Sequence, residues 1–125
     1  MLLKPVGYFF ELAVQERLNM LEKIRQPMAS SQEEKIVDYL SNATLFGFGM
    51  GVDTDILKAN QPVIGALDIM TDGVWAWPAT LKYWVVTYHI QLPAEFVDHM
   101  AGNNWDCPKN IDLEDLRVVG TSEMA

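Results

Sequence analysis

Cys107, His89, His99 and Asp98 lie within one stretch of the chain and carry the side-chain types of a zinc or thiol centre. Zinc sites announce themselves by two ligands a few residues apart, as in Cys-x-x-Cys or a histidine pair at i and i+4, and no such pair occurs here. Cys107 is the single cysteine, so no internal disulfide can form, and its neighbour Asp106 favours the protonated thiol over the nucleophilic thiolate. Asp53 and Asp55 resemble the opening of a calcium loop, but the glycine and closing glutamate of such a loop are missing. Gly47-Phe48-Gly49-Met50-Gly51 looks like a phosphate cradle, yet Asp53 and Asp55 follow where Lys-Ser or Lys-Thr is required. Glycine alternation in an apolar segment reads instead as a bend or a close backbone approach. Carboxylates are so numerous that no pair of them singles out acid–base chemistry. The chain is therefore read as a non-enzyme with no cofactor and no metal.

The informative cluster is aromatic. All four tryptophans fall between positions 75 and 105, interleaved with acids. Trp84 sits on the apolar stripe of a helix and belongs to the core. Trp75 and Trp77 share one face of a strand by its period of two, on a hairpin that can keep its other face wet. Trp105 lies among Asn103, Asn104 and Asp106, a polar setting that exposes part of its ring. Aromatics bordered by carboxylates suit a protein interface that receives Arg and Lys from a partner.

The elements that position these residues can be read from periodicity. Phe10, Val14, Arg17 or Leu18, Leu21 and Ile24 recur at helical spacing, with Pro5 in the first turn and Pro27 ending the helix near Arg25. A second helix follows Ser31, or Ser30, as N-cap; Glu34 completes a capping box with Ser31, Ile36, Tyr39 and Leu40 are buried, and Asn42 closes it. Residues 53 to 62 suggest one short helical turn, and Val63 to Met70 a strand. Thr71-Asp72-Gly73 is a tight-turn signal, making Ala66 to Trp77 a β-hairpin. Pro78 opens a helix carrying Leu81, Trp84, Val85 and Tyr88, and Pro93 another carrying Phe96, Val97 and Met100, stopped by Gly102. Asp112 to Val119 reads as a helical turn or an edge strand, and residues 120 to 125 as a frayed tail. These pieces predict one α+β domain spanning residues 1 to 125, with several helices packed on a small antiparallel hairpin or sheet.

Charge narrows the partners. Of the 125 residues 50 % are apolar, too many for disorder, and 17 acids against 9 bases give a net charge of −8. Residues 1 to 35 are neutral, so the excess falls on residues 36 to 125, where twelve acids face only Lys58, Lys82, Lys109 and Arg117. Such a field repels phosphate and anionic lipid and attracts a basic protein. No uncharged apolar run approaches the ~20 residues of a membrane span, and no signal peptide is evident.

Thr71-Asp72-Gly73-Val74-Trp75-Ala76-Trp77-Pro78, then Tyr83-Trp84, then Leu92-Pro93-Ala94-Glu95-Phe96-Val97-Asp98-His99-Met100 resembles small bacterial immunity proteins of polymorphic-toxin and contact-dependent growth inhibition systems. The likeness covers residues 63 to 107. It implies a cytoplasmic, non-enzymatic inhibitor that occludes the active site of a cognate toxin domain, a basic nuclease-type domain being the natural complement of an acidic face. On that expectation Trp75, Trp77 and Trp105 are anchors, and Asp53, Asp55, Asp68, Asp72, Asp98 and Asp106 pair with toxin Lys and Arg. The alternatives are a small adaptor or self-associating domain, and a hydrolase without a recognisable motif.

Overall fold

In a computed structural model that describes residues 2–49, 51–114 and 116–118, the hairpin foreseen around Asp72 forms the centre of a larger sheet. Its arms are β5 (Ile69–Thr71) and β6 (Trp75–Pro78), paired antiparallel with Met70 opposite Trp77. The N-terminal segment, expected to begin a helix, is instead strand β1 (Leu2–Pro5), lying parallel to β6 with Lys4 opposite Trp75. Lys4 and Val6 donate their N–H groups to Val74 and Ala76 at 2.9 and 3.0 Å. The nitrogen of Pro5 falls on the opposite side of the strand, so its missing N–H removes no bond to β6. With β2 (Thr44–Gly47) on one edge and β7 (Arg117–Val118) on the other, the order is β2-β5-β6-β1-β7, a mixed sheet. Of the two readings for residues 112 to 119, the edge strand is the one that forms; residues 119–125, including the expected frayed tail, lie outside the described residues.

β3 (Val52–Thr54) and β4 (Val63–Ala66) make a separate two-stranded sheet. The expected helical turn over 53–62 is thus a strand followed by turns, and the single strand expected from Val63 to Met70 divides at Leu67 and Asp68 between two sheets. Gly49 shows why the glycine run is needed: a Cβ there would lie 1.7 Å from the carbonyl oxygen of Leu67.

Four α-helices complete the α+β domain: α1 (Val14–Ile24), α2 (Glu33–Ser41), α3 (Leu81–Tyr88) and α4 (Ala94–Gly102). α1 starts later than its periodicity predicts, because Phe9–Glu11 forms a 3-10 turn and Leu12 is extended. α2 is entered through Gln32 without a side-chain cap, so the capping box of Ser31 and Glu34 does not form; Asn42 does end the helix. Trp77, Trp84, Tyr39, Phe96 and Met100 are fully buried between the helices and the sheet. Phe96 joins both hairpin tryptophans, stacked on Trp75 at 4.9 Å between ring centroids and tilted on Trp77 at 5.3 Å. On the other face of the sheet Leu3 and Ala76 are buried under Tyr8, Phe46, Ile69 and Leu116.

Candidate partner-binding surface

Asp72 occupies the turn of the β5–β6 hairpin, where its Oδ1 accepts the N–H groups of Val74 and Trp75 at 2.9 and 2.7 Å. Its Oδ2 accepts the Tyr39 hydroxyl at 2.7 Å, and His99 Nε2 lies 3.1 Å from the same oxygen. Tyr39 in turn accepts from Asn103 at 3.0 Å. One enclosed carboxylate therefore ties the hairpin to α2 and α4. Burial, reinforced by the hydrogen bond to Asp72, pushes the Tyr39 phenol well above its ordinary range. Cys107 is buried beside this network, and its thiol is pushed up to about 11 by burial first and the Asp72 charge second, with Asp106 adding to it. Such a thiol is protonated and inert near neutrality.

Asp53 and Asp55 alternate along β3 and its exit, and each is satisfied internally. Asp53 Oδ1 pairs with Arg17 of α1 at 3.1 Å, and its Oδ2 accepts from Thr80 at 3.3 Å. Asp55 is completely enclosed: Oδ1 receives the Leu57 N–H at 2.9 Å, while Oδ2 receives the hydroxyls of Tyr83 and Tyr88 at 2.6 and 2.7 Å. Burial and the bond to Asp55 raise the Tyr88 phenol above its usual range.

Five of the nine expected contact residues are therefore interior. Trp75 and Trp77 are 6 % and 1 % exposed, because β6 is a central strand covered on both faces rather than the arm of a free hairpin. Asp53, Asp55 and Asp72 are 4 %, 0 % and 3 % exposed, and their oxygens are taken by Arg17, hydroxyls and backbone donors. None of the five can meet a partner without unfolding. The other four reach the surface to different degrees. Asp68 is half-buried and accepts the Gly49 N–H at 3.3 Å. Asp98 and Asp106 are exposed, and half-buried Trp105 carries the Lys35 ammonium 5.7 Å from its ring centroid.

Asp98, Trp105 and Asp106 belong to α4 and its exit, and Asp98 shares a depression with Glu33, one of three carboxylates that sequence reasoning passed over. Glu33, Glu34 and Asp38 all come from α2. A depression of about 270 Å³ is lined by Glu33 and Asp98, and a second of about 420 Å³ by Glu33, Glu34 and Asp38. The two share Ser30 and Glu33, and among the described residues neither is lined by Lys or Arg. The apolar rim includes Val86, 52 % exposed. One signal in the sequence marks this face: Glu34 and Asp38 stand at i and i+4, a like-charge spacing that weakens a helix by a few tenths of a kcal/mol and so needs another reason.

Among the described residues no three His, Cys, Asp or Glu side chains converge as a metal site would require, and no helix is long and apolar enough to cross a membrane. No protein-family model, curated protein or solved structure matches the chain.

Proposed function

We propose that the protein is a cytoplasmic, non-enzymatic immunity-type inhibitor that docks the acidic face of α2, with the depressions on either side of it, onto a basic toxin domain and blocks its active site. The observation that carries this reading is that face, where Glu33, Glu34 and Asp38, with Asp98 of α4, line two depressions with no Lys or Arg among the described lining residues. A carboxylate-lined face beside exposed apolar side chains complements a cationic substrate cleft and speeds encounter with it. The motif behind the family resemblance supplies the scaffold: Asp72, Trp75, Trp77, Phe96 and His99 hold α4 on the sheet and leave recognition to the outer faces of α2 and α4.

Growth rescue tests it. The chain and a Glu34→Lys/Asp38→Lys variant are each co-expressed with basic toxin domains, beginning with any encoded beside this chain. The native chain restores growth, and the variant, folded to the same extent, does not. Continued arrest with abundant folded native chain rejects the proposal.

A second reading, self-association, draws on a different surface. Leu45 and Phe48 at the β2 edge are 40 % and 81 % exposed, next to a segment free of charged residues from Ala43 to Val52. An unprotected apolar edge strand is a template for pairing. Salt separates the two readings, since apolar pairing persists or tightens as ionic strength rises.

A further inference from the structure

The smaller of the two depressions has a more specific lining than its charge alone conveys. Its floor is apolar, with Ile36 from α2, Val85 from α3 and Val97 from α4. Its charged and imidazole groups are Glu33 at the start of α2, Asp98 on α4, and His89, which ends α3 in the left-handed conformation at φ 53° and ψ 41°, and Gln26, Ser30, Gln32 and Gln91 complete the polar lining. The His89 N–H bonds the Val85 carbonyl at 2.9 Å, fixing the backbone that aims the ring. His89 Nδ1 lies 2.8 Å from Glu33 Oε1. An ionised carboxylate only accepts, so the proton of this contact belongs to Nδ1. Asp98 is exposed. The two carboxylates of the pocket thus offer acceptors over an apolar floor.

We propose that this pocket receives one arginine side chain from the partner, an inference that rests on the reading that the partner is a basic protein. The guanidinium is planar, always charged, and carries five N–H donors and no acceptor. Its methylene stem is apolar and lies along hydrophobic surface while the head group meets charge. Donors at the tip and methylenes behind them complement the carboxylates of Glu33 and Asp98 and the floor of Ile36, Val85 and Val97. Lysine fits less well, because its ammonium is a compact, strongly hydrated charge that cannot bridge several acceptors in one plane. The pocket volume of about 270 Å³ admits one such side chain and excludes a folded element of the partner.

The test is an NMR titration of the full chain with N-acetyl-arginine amide, set against N-acetyl-lysine amide and N-acetyl-norleucine amide. Arginine amide is expected to give saturable shifts confined to the His89 ring and the Ile36, Val85 and Val97 methyls. Lysine amide should bind at least about fivefold more weakly, and norleucine amide should produce no saturable change. Asp98→Asn, an exposed position whose substitution leaves the fold intact, should weaken arginine binding by about fivefold or more through loss of a charge-assisted contact. Equal response to arginine and lysine, or indifference to Asp98→Asn, overturns the arginine pocket. Salt-dependent binding of the toxin domain alongside a negative titration would reject the pocket alone. A positive titration in a chain that fails to bind the toxin domain would reject the inhibitor reading and leave the pocket standing.

Discussion

His99 Nε2 lies 3.1 Å from Asp72 Oδ2, so the hairpin turn and α4, which are remote in sequence, are joined by a polar side-chain contact. The same carboxylate takes the Tyr39 hydroxyl and two backbone N–H groups, and its side chain has no solvent exposure. The Thr-Asp-Gly and His-Met portions of the sequence are therefore two halves of one clasp, with Trp75 stacked on Phe96 beneath it.

Removing that carboxylate leaves several buried donors without an acceptor. Asp72→Ala is expected to lower unfolding stability by ~3–5 kcal/mol, whereas Asp106→Ala, on the exposed exit from α4, should stay within ~0.5 kcal/mol of the native chain. Urea unfolding of both variants checks this. A mild effect at Asp72 would mean that the clasp does not hold the two elements together.

The aromatic core supplies a contrast between positions that look alike in sequence. Phe96→Ala should cost ~3–5 kcal/mol, because it opens a cavity between Trp75 and Trp77. Three of the four tryptophans are sealed in the interior. Acrylamide should therefore quench Trp105 emission selectively, and Trp105→Phe should remove most of the quenchable fraction. Efficient quenching that survives this substitution would contradict the burial of Trp75 and Trp77.

The distinction between core and surface tryptophans shows where the sequence is legible. The Asp72-Gly73 turn, the helix after Pro78 and the place of Trp84 in the core follow from local spacing, and all are present. The second covering of Trp75 and Trp77 is not local. It depends on Leu2–Pro5 pairing in parallel with β6, across more than half the chain, and no period of two or 3.6 in either segment reports that partnership. The acidic face of α2 was missed for a related reason. Residues 1 to 35 sum to zero charge, yet Arg17 is held against Asp53 while Glu33 and Glu34 line a depression.

Alkaline pH should destabilise the fold. Cys107 titrates near 9.0 ordinarily and at about 11 in the folded chain, and burial also raises Tyr39 and Tyr88. Between those values the native state holds protons that the unfolded state has released. The stability Cys107 contributes is thus intact below about pH 9 and is lost as pH rises towards about 11, at ~1.4 kcal/mol per pH unit, while the contributions of Tyr39 and Tyr88 begin to be lost only above pH 10.0. Urea unfolding across that window should show the decline, shallower in Cys107→Ala. Near neutrality, disulfide reagents should modify native Cys107 at least ~100-fold more slowly than the unfolded chain. Fast native labelling would place the thiol outside the core.

The β2 edge gives a prediction independent of charge. If Leu45 and Phe48 mediate self-association, sedimentation velocity at rising concentration will show a species that Phe48→Asp abolishes without loss of fold. A chain that is monomeric at all concentrations removes the self-association reading.

The most direct measurement is the association rate of the chain with a toxin domain that it neutralises in the growth assay, followed by stopped flow from low to physiological ionic strength. Steering by the acidic face of α2 predicts that the rate falls by about tenfold or more, and that Glu34→Lys/Asp38→Lys is slow and nearly salt-independent from the outset. An association rate that ignores both salt and this double substitution would contradict the account.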